Sequence, residues 1–69
     1  MKIKMNSKVR VITIVGDELI GKYRGIDSKG VLLKDAKVII ENEFNKNEIN
    51  ILDAHIDFYR IEAIDIIED

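Results

Sequence analysis

All four glycines of this 69-residue chain fall between positions 16 and 30, in "GDELIGKYRGIDSKGVLLKDA". Gly21, Gly25 and Gly30 lie inside what otherwise reads as two β-strands. A strand interior normally excludes glycine, which raises the entropy cost of ordering and leaves no side chain to pack. Closing a few short strands around a small core, however, requires the longer ones to bend sharply, and barrels bend at glycines and bulges. Gly21 and Gly25 are four residues apart and so share one face of an extended strand. Two missing Cβ atoms there let that strand fold over a core. The spacing predicts an all-β fold: a small, strongly bent, five-stranded antiparallel barrel.

The apolar residues agree. The chain has 14 Ile and 5 Val against 4 Leu, and no proline. β-branched side chains suit a pleated sheet and lose χ1 freedom in a helix. With no cysteine, neither a disulfide nor a thiolate metal site can staple the fold. A chain this short reads as one domain, residues 1–69, burying about 60% of its unfolded surface. Such a core supplies only about 3–5 kcal/mol, and oligomerisation is a common remedy. No apolar run approaches the roughly 18 residues of a membrane span, and "MKIKMNSKV" lacks the apolar centre of a signal peptide. The expectation is a soluble, cytoplasmic protein with no membrane partner.

Five strand candidates follow one another without a linker. "KVRVITIV" (8–15) places Val9, Val11, Thr13 and Val15 on one face. Gly16-Asp17 signals a hairpin into "ELIGKYRGID", where Leu19, Gly21, Tyr23 and Gly25 share a face. "DSKG" (27–30) is a second tight turn, followed by "VLLKDAKVII". The Asn-rich "ENEFNKNE" (41–48) is a loop or a twisted hairpin tip. "INILDAHI" is the fourth strand, "DFYR" a short turn and "IEAIDII" the last strand. Residues 1–7 read as an arm or a strand extension.

Charge is divided along the chain. Residues 1–34 carry eight basic and three acidic side chains, net +5; residues 35–69 carry three and ten, net −7. That asymmetry marks a basic face for nucleic acid, a self-complementary surface, or a mixed surface in which the halves interleave. The overall charge of −2 argues against strong non-specific nucleic-acid binding, which depends on neutralising many phosphates.

Gly16, Leu19, Gly21, Tyr23, Gly25, Ile26 and Asp27, continued by Leu33, Asp35 and Ala36, resemble the first motif of the Sm-like (LSm) proteins. "IDFYRIEAIDII" is similar to the closing strands of prokaryotic members. The resemblance implies a bent five-stranded barrel that assembles into a homomeric ring. In that ring, the strand near Ile49–Ile56 pairs with the strand near Ile61–Ile67 of the next subunit. The residues alone point the same way, because an Ile-rich terminal strand with a free edge invites pairing, and a head-to-tail contact closes by rotation.

The resemblance also implies single-stranded RNA as a ligand, bound through Asp27, Lys29, Gly30, Tyr59 and Arg60. The family's stacking aromatic and base-reading asparagine are missing from the turn after Asp27, where Ser28, Lys29 and Gly30 stand. Tyr59-Arg60 occupies the place of the family's Arg-Gly pair. Base stacking contributes about 1–3 kcal/mol per base, so much of the uridine-selective chemistry is absent. Lys29 and Arg60 are left to meet phosphate, and Tyr59 to stack. Read for structure alone, Asp27 forms the turn, Lys29 is a solvated tip and Tyr59 packs.

Other chemistry is thin. His55 is the single histidine, and alternation places it on one face with Asp53 and Asp57. That row suits a polar pair or a pH-sensitive contact better than a metal. With no nucleophile–base pair, phosphate loop or zinc spacing, the sequence predicts neither an enzyme nor a cofactor. Two readings follow: an RNA-binding ring, or an oligomeric protein-interaction or scaffold module built on the same barrel.

Overall fold

The computed structural model describes residues 2–69. Its elements are β1 (Lys8–Thr13), β2 (Glu18–Ile26), β3 (Gly30–Glu41), β4 (Lys46–Asn50), β5 (Asp53–Asp57) and β6 (Ile61–Glu68). A 3-10 turn, Phe58–Arg60, joins the last two strands. All pairings are antiparallel, in the order β4-β3-β2-β1-β6. β5 pairs with Gly30–Lys34, on the edge of β3 opposite β2. The fold is therefore all-β, one sheet whose hydrogen-bonded path does not close among the described residues. One edge is formed by β4 and β5, the other by β6.

Six strands stand where five were expected, because the fourth is divided. β3 bends at Asp35, which takes φ +50°, and its neighbour breaks opposite the bend at Ile51 and Leu52. The Ile51 N–H donates to the Ala36 carbonyl at 2.8 Å, and the Ala36 N–H donates to the Leu52 carbonyl at 3.3 Å. β4 and β5 are two halves of one strand kinked across a bulge.

Gly21 sits on the other side of that bend. The register between β2 and β3 passes from Ile20↔Lys37 to Lys22↔Lys34, so two residues of β3 face Gly21 alone. A Cβ there would lie 3.1 Å from the Ala36 Cα and Cβ and from the Lys34 carbonyl oxygen. A second register shift, between Tyr23 and Ile26, contains Gly25 at φ +101°. The glycines thus mark the two places where β2 departs from a regular ladder.

Inside the bend lies a core of Val9, Val11, Val31, Leu33, Ala36 and Ile56, with Leu19, Tyr23 and Ile61 packed around it. Each large aliphatic side chain so buried stabilises the fold by about 1.5–3 kcal/mol. The inward row of β1 ends at Thr13. Val15 does not continue it: the chain has already entered the turn, and Val15 is 77% exposed. Residues 2–7 form a folded-back arm that is not strand. It is tied to β2 by hydrogen bonds from the Asn6 N–H to the Tyr23 carbonyl and from the Tyr23 N–H to the Ser7 carbonyl, both 2.9 Å. Met1 lies outside the described residues.

Of the Asn-rich stretch 41–48, residues 42–45 form the hairpin tip, while residue 41 ends β3 and residues 46–48 are the start of β4. Asn42 Oδ1 accepts hydrogen bonds from the Phe44 and Asn45 amides at 2.8 Å, and every residue of β4 is exposed. Across the sheet, Lys8 pairs with Glu68 at 3.7 Å and Arg10 with Asp65 at 3.1 Å. Lys22 pairs with Asp35 and Lys37 with Glu48, both at 3.6 Å. Each exposed pair contributes about 0–1 kcal/mol. Three of these pairs, Lys8–Glu68, Arg10–Asp65 and Lys22–Asp35, join the basic half of the chain to the acidic half, across β1 and β6 and across β2 and β3.

Candidate nucleic-acid interface

Three turns come together at one end of the sheet. The β2–β3 turn is built on Asp27, whose Oδ1 accepts hydrogen bonds from the Lys29 and Gly30 amides, both 2.8 Å. An aspartate two or three residues ahead of two free amides makes this turn locally, without tertiary help. The 3-10 turn docks against it through the Phe58 N–H, which donates to the Lys29 carbonyl at 2.8 Å. The β1–β2 turn, residues 14–17, joins from the other side: the Ile14 N–H donates to the Arg60 carbonyl at 2.9 Å.

Lys29, Tyr59 and Arg60 are all exposed on this rim. Tyr59 is 71% exposed, and the Arg60 guanidinium carbon lies 5.9 Å from its ring centre. An exposed cation–π contact of this kind contributes about 0.5–1 kcal/mol and presents a ring and a cation together. Beside them, Ile14, Val15 and Asp17 complete a cleft of about 360 Å³. A second cleft, of about 370 Å³, runs between Lys29 and Tyr59 over Phe58. Aromatic rings that stack on bases and cations that meet phosphate are the groups with which single-stranded nucleic acids are held; here Asp17 and Asp57 line the same two clefts.

Of the other two residues expected at the site, Asp27 is exposed beside the rim and Gly30 is not. Gly30 is buried under β5. The Asp27 carboxylate is occupied: His55 Nε2 lies 3.1 Å from each of its oxygens. His55 Nδ1 lies 3.5 Å from Asp57 Oδ1. The hydrogen bond from His55, followed by those from the Lys29 and Gly30 amides, holds the Asp27 carboxyl down at about 2. These two residues shape the turn.

The sequence placed His55 with Asp57 but not with Asp27, which is 28 positions away. The D-x-H-x-D alternation supplies the first pairing. The second needs the register of β5 on β3, in which Gly30 faces Asp57 and Leu32 faces His55. Asp53 pairs in register with Lys34 instead. The two carboxylates meet opposite nitrogens of the ring and share no common point for a cation. No group of three or more His, Cys, Asp or Glu side chains placed to hold one metal ion occurs among the described residues. The apolar pair Ile14 and Val15 also escaped the sequence reading, which continued β1 through them.

No protein-family model matches the chain, and no curated protein matches it. No helix among the described residues is long and apolar enough to cross a membrane.

Proposed function

We propose that this chain is a ring-forming subunit of the Sm-like type that binds single-stranded RNA without catalysing a reaction. The observation that carries the proposal is the joining of residues 27–30 to residues 57–60 through the Phe58–Lys29 hydrogen bond. It brings Lys29, Tyr59 and Arg60, from two separate turns, onto one rim. The open edges support the assembly. The β4–β5 edge and the β6 edge fall where the Sm-like resemblance calls for pairing between subunits, and such pairing would complete a bent barrel into a ring.

With no aromatic in the turn after Asp27, base stacking falls to Tyr59 and phosphate contact to Lys29 and Arg60. Few phosphates are neutralised per subunit, so affinity for one subunit is low and the ring supplies the rest by multivalency. Titration of a labelled oligo-uridine at about 50 and 200 mM salt tests this. Binding that weakens with salt supports the RNA reading. Absence of binding at both salt concentrations contradicts it. The alternative, a scaffold module of the same fold, is favoured by one observation: the Asp27 carboxylate is already engaged by His55 and by the Lys29 and Gly30 amides.

A further inference from the structure

Every Lys and Arg of the first three strands lies on one face of the sheet. The inward rows of β1, β2 and β3 build the core, and alternation puts Lys8, Arg10, Lys22, Arg24, Lys34 and Lys37 on the outer side. Register sets three of them side by side: Lys8 faces Lys22, and Lys22 faces Lys34. Like charges directly opposite one another destabilise a sheet, so such a row needs compensation. Glu68 supplies it to Lys8, Glu18 and Asp65 to Arg10, Asp35 to Lys22 and Glu48 to Lys37. Among the described residues Arg24 and Lys34 make no ion pair.

These two uncompensated cations stand together. Arg24 and Lys34 line one surface cleft of about 380 Å³ with Leu32, Leu33, Ala54 and Asp53. Asp53, which faces Lys34 across the β3–β5 pair, is the carboxylate of that cleft and leaves it two cations to one anion. Arg24 is oriented by a neutral group: its Nη1 donates to Asn6 Oδ1 at 2.8 Å. The arm places Asn6, whose own N–H donates to the Tyr23 carbonyl. An amide oxygen fixes a guanidinium without cancelling its charge, and the other N–H donors of the fork stay available to an anion.

We infer that Arg24 and Lys34 bind a backbone phosphate of the RNA strand held at the rim, an inference that rests on the RNA reading. Phosphate fits the pair, because the planar fork meets two of its oxygens at once and the ammonium adds a point charge. Lys34 lies about 13 Å along β3 from Gly30, at the rise of an extended strand. One oligonucleotide can therefore meet Lys29 on the rim and this cleft on the outer face.

Titration of a labelled oligo-uridine longer than the rim can cover, at several salt concentrations, tests it on wild type, Lys34→Gln and Asn6→Asp. Each variant should bind more weakly at low salt and lose about 0.7 from the slope of log K against log salt for each contact removed. Asn6→Asp keeps the acceptor and supplies the carboxylate that Arg24 lacks, so its effect reports charge and not shape. Lys34 is exposed and makes no ion pair, so the RNA-free Lys34→Gln chain should keep the wild-type urea midpoint, which separates weaker binding from unfolding. An unchanged slope in either variant, with wild type binding normally, would overturn the phosphate contact and leave the RNA reading standing. A wild type that binds no oligo-uridine would overturn both.

Discussion

Gly30 and Ile56 touch backbone to backbone: a Cβ on Gly30 would overlap the Ile56 carbonyl oxygen and lie 2.9 Å from the Asp57 Cα. The contact is where β5 crosses the start of β3, directly beneath the turn that carries Lys29. It fixes how closely the 27–30 and 57–60 segments approach.

Gly30→Ala should therefore be among the most damaging single-methyl additions in the chain. Neither neighbour is a flexible side chain, so β5 itself must move, at a cost of about 3 kcal/mol. Urea denaturation of the variant should show that loss. Gly16→Ala is the comparison: nothing lies within 4 Å of its Cβ position, although φ is +92°. Its cost should be only the strain of a left-handed backbone, about 1 kcal/mol.

Core packing gives a second expectation. Val11 is fully buried at the centre of β1. Val11→Ala removes two methyl groups and leaves a cavity, so it should destabilise the fold by about 2 kcal/mol. Val15→Ala, at a position 77% exposed, should lie within about 0.5 kcal/mol of wild type. Paired denaturation curves distinguish these outcomes from a β1 that runs through residue 15.

Acid should weaken the β2–β3 turn in a defined window. The Asp27 carboxyl, held at about 2 against an ordinary 3.8, binds a proton less readily folded than unfolded. Its contribution is present in full above the unfolded value and is lost as pH falls through the folded one. Wild type should exceed Asp27→Ala in denaturation midpoint at neutral pH, and the gap should narrow as the pH approaches 2. A gap that does not change with pH would mean that the ionised carboxylate is not what holds the turn.

On the rim, Tyr59→Ala and Lys29→Ala should fail differently. Loss of a stacking ring should weaken oligo-uridine binding by about 1–3 kcal/mol at any salt concentration. Loss of a phosphate contact should instead flatten the salt dependence, by about 0.7 per contact for a single strand. Equilibrium titrations at several salt concentrations separate the two effects.

Much of this architecture was legible from particular residues. The Ile and Val excess gave the sheet, and Gly21 and Gly25 gave the places where β2 leaves a regular ladder. Asp27 followed by "SKG" gave the turn. Local chemistry determines each of those. The kink at Ile51 and Leu52 was not legible, because it answers a bulge at Asp35 that lies across the sheet. Nor was the Asp27–His55 pair, which depends on the register between β5 and β3. Val15 was misplaced because alternation carries no signal for where a strand stops, and the turn tip here happens to be apolar. Of the expected site residues, Lys29, Tyr59 and Arg60 stand exposed together, whereas Gly30 serves backbone packing that no spacing rule reveals.

The central proposal, a ring built through the β4–β5 and β6 edges, is tested most directly by the mass of the wild-type chain in solution, measured by light scattering after size exclusion. The proposal predicts a single species at a whole multiple, three or more, of the 7.9 kDa subunit, unchanged on dilution through the micromolar range. A species of 7.9 kDa at all concentrations would contradict it.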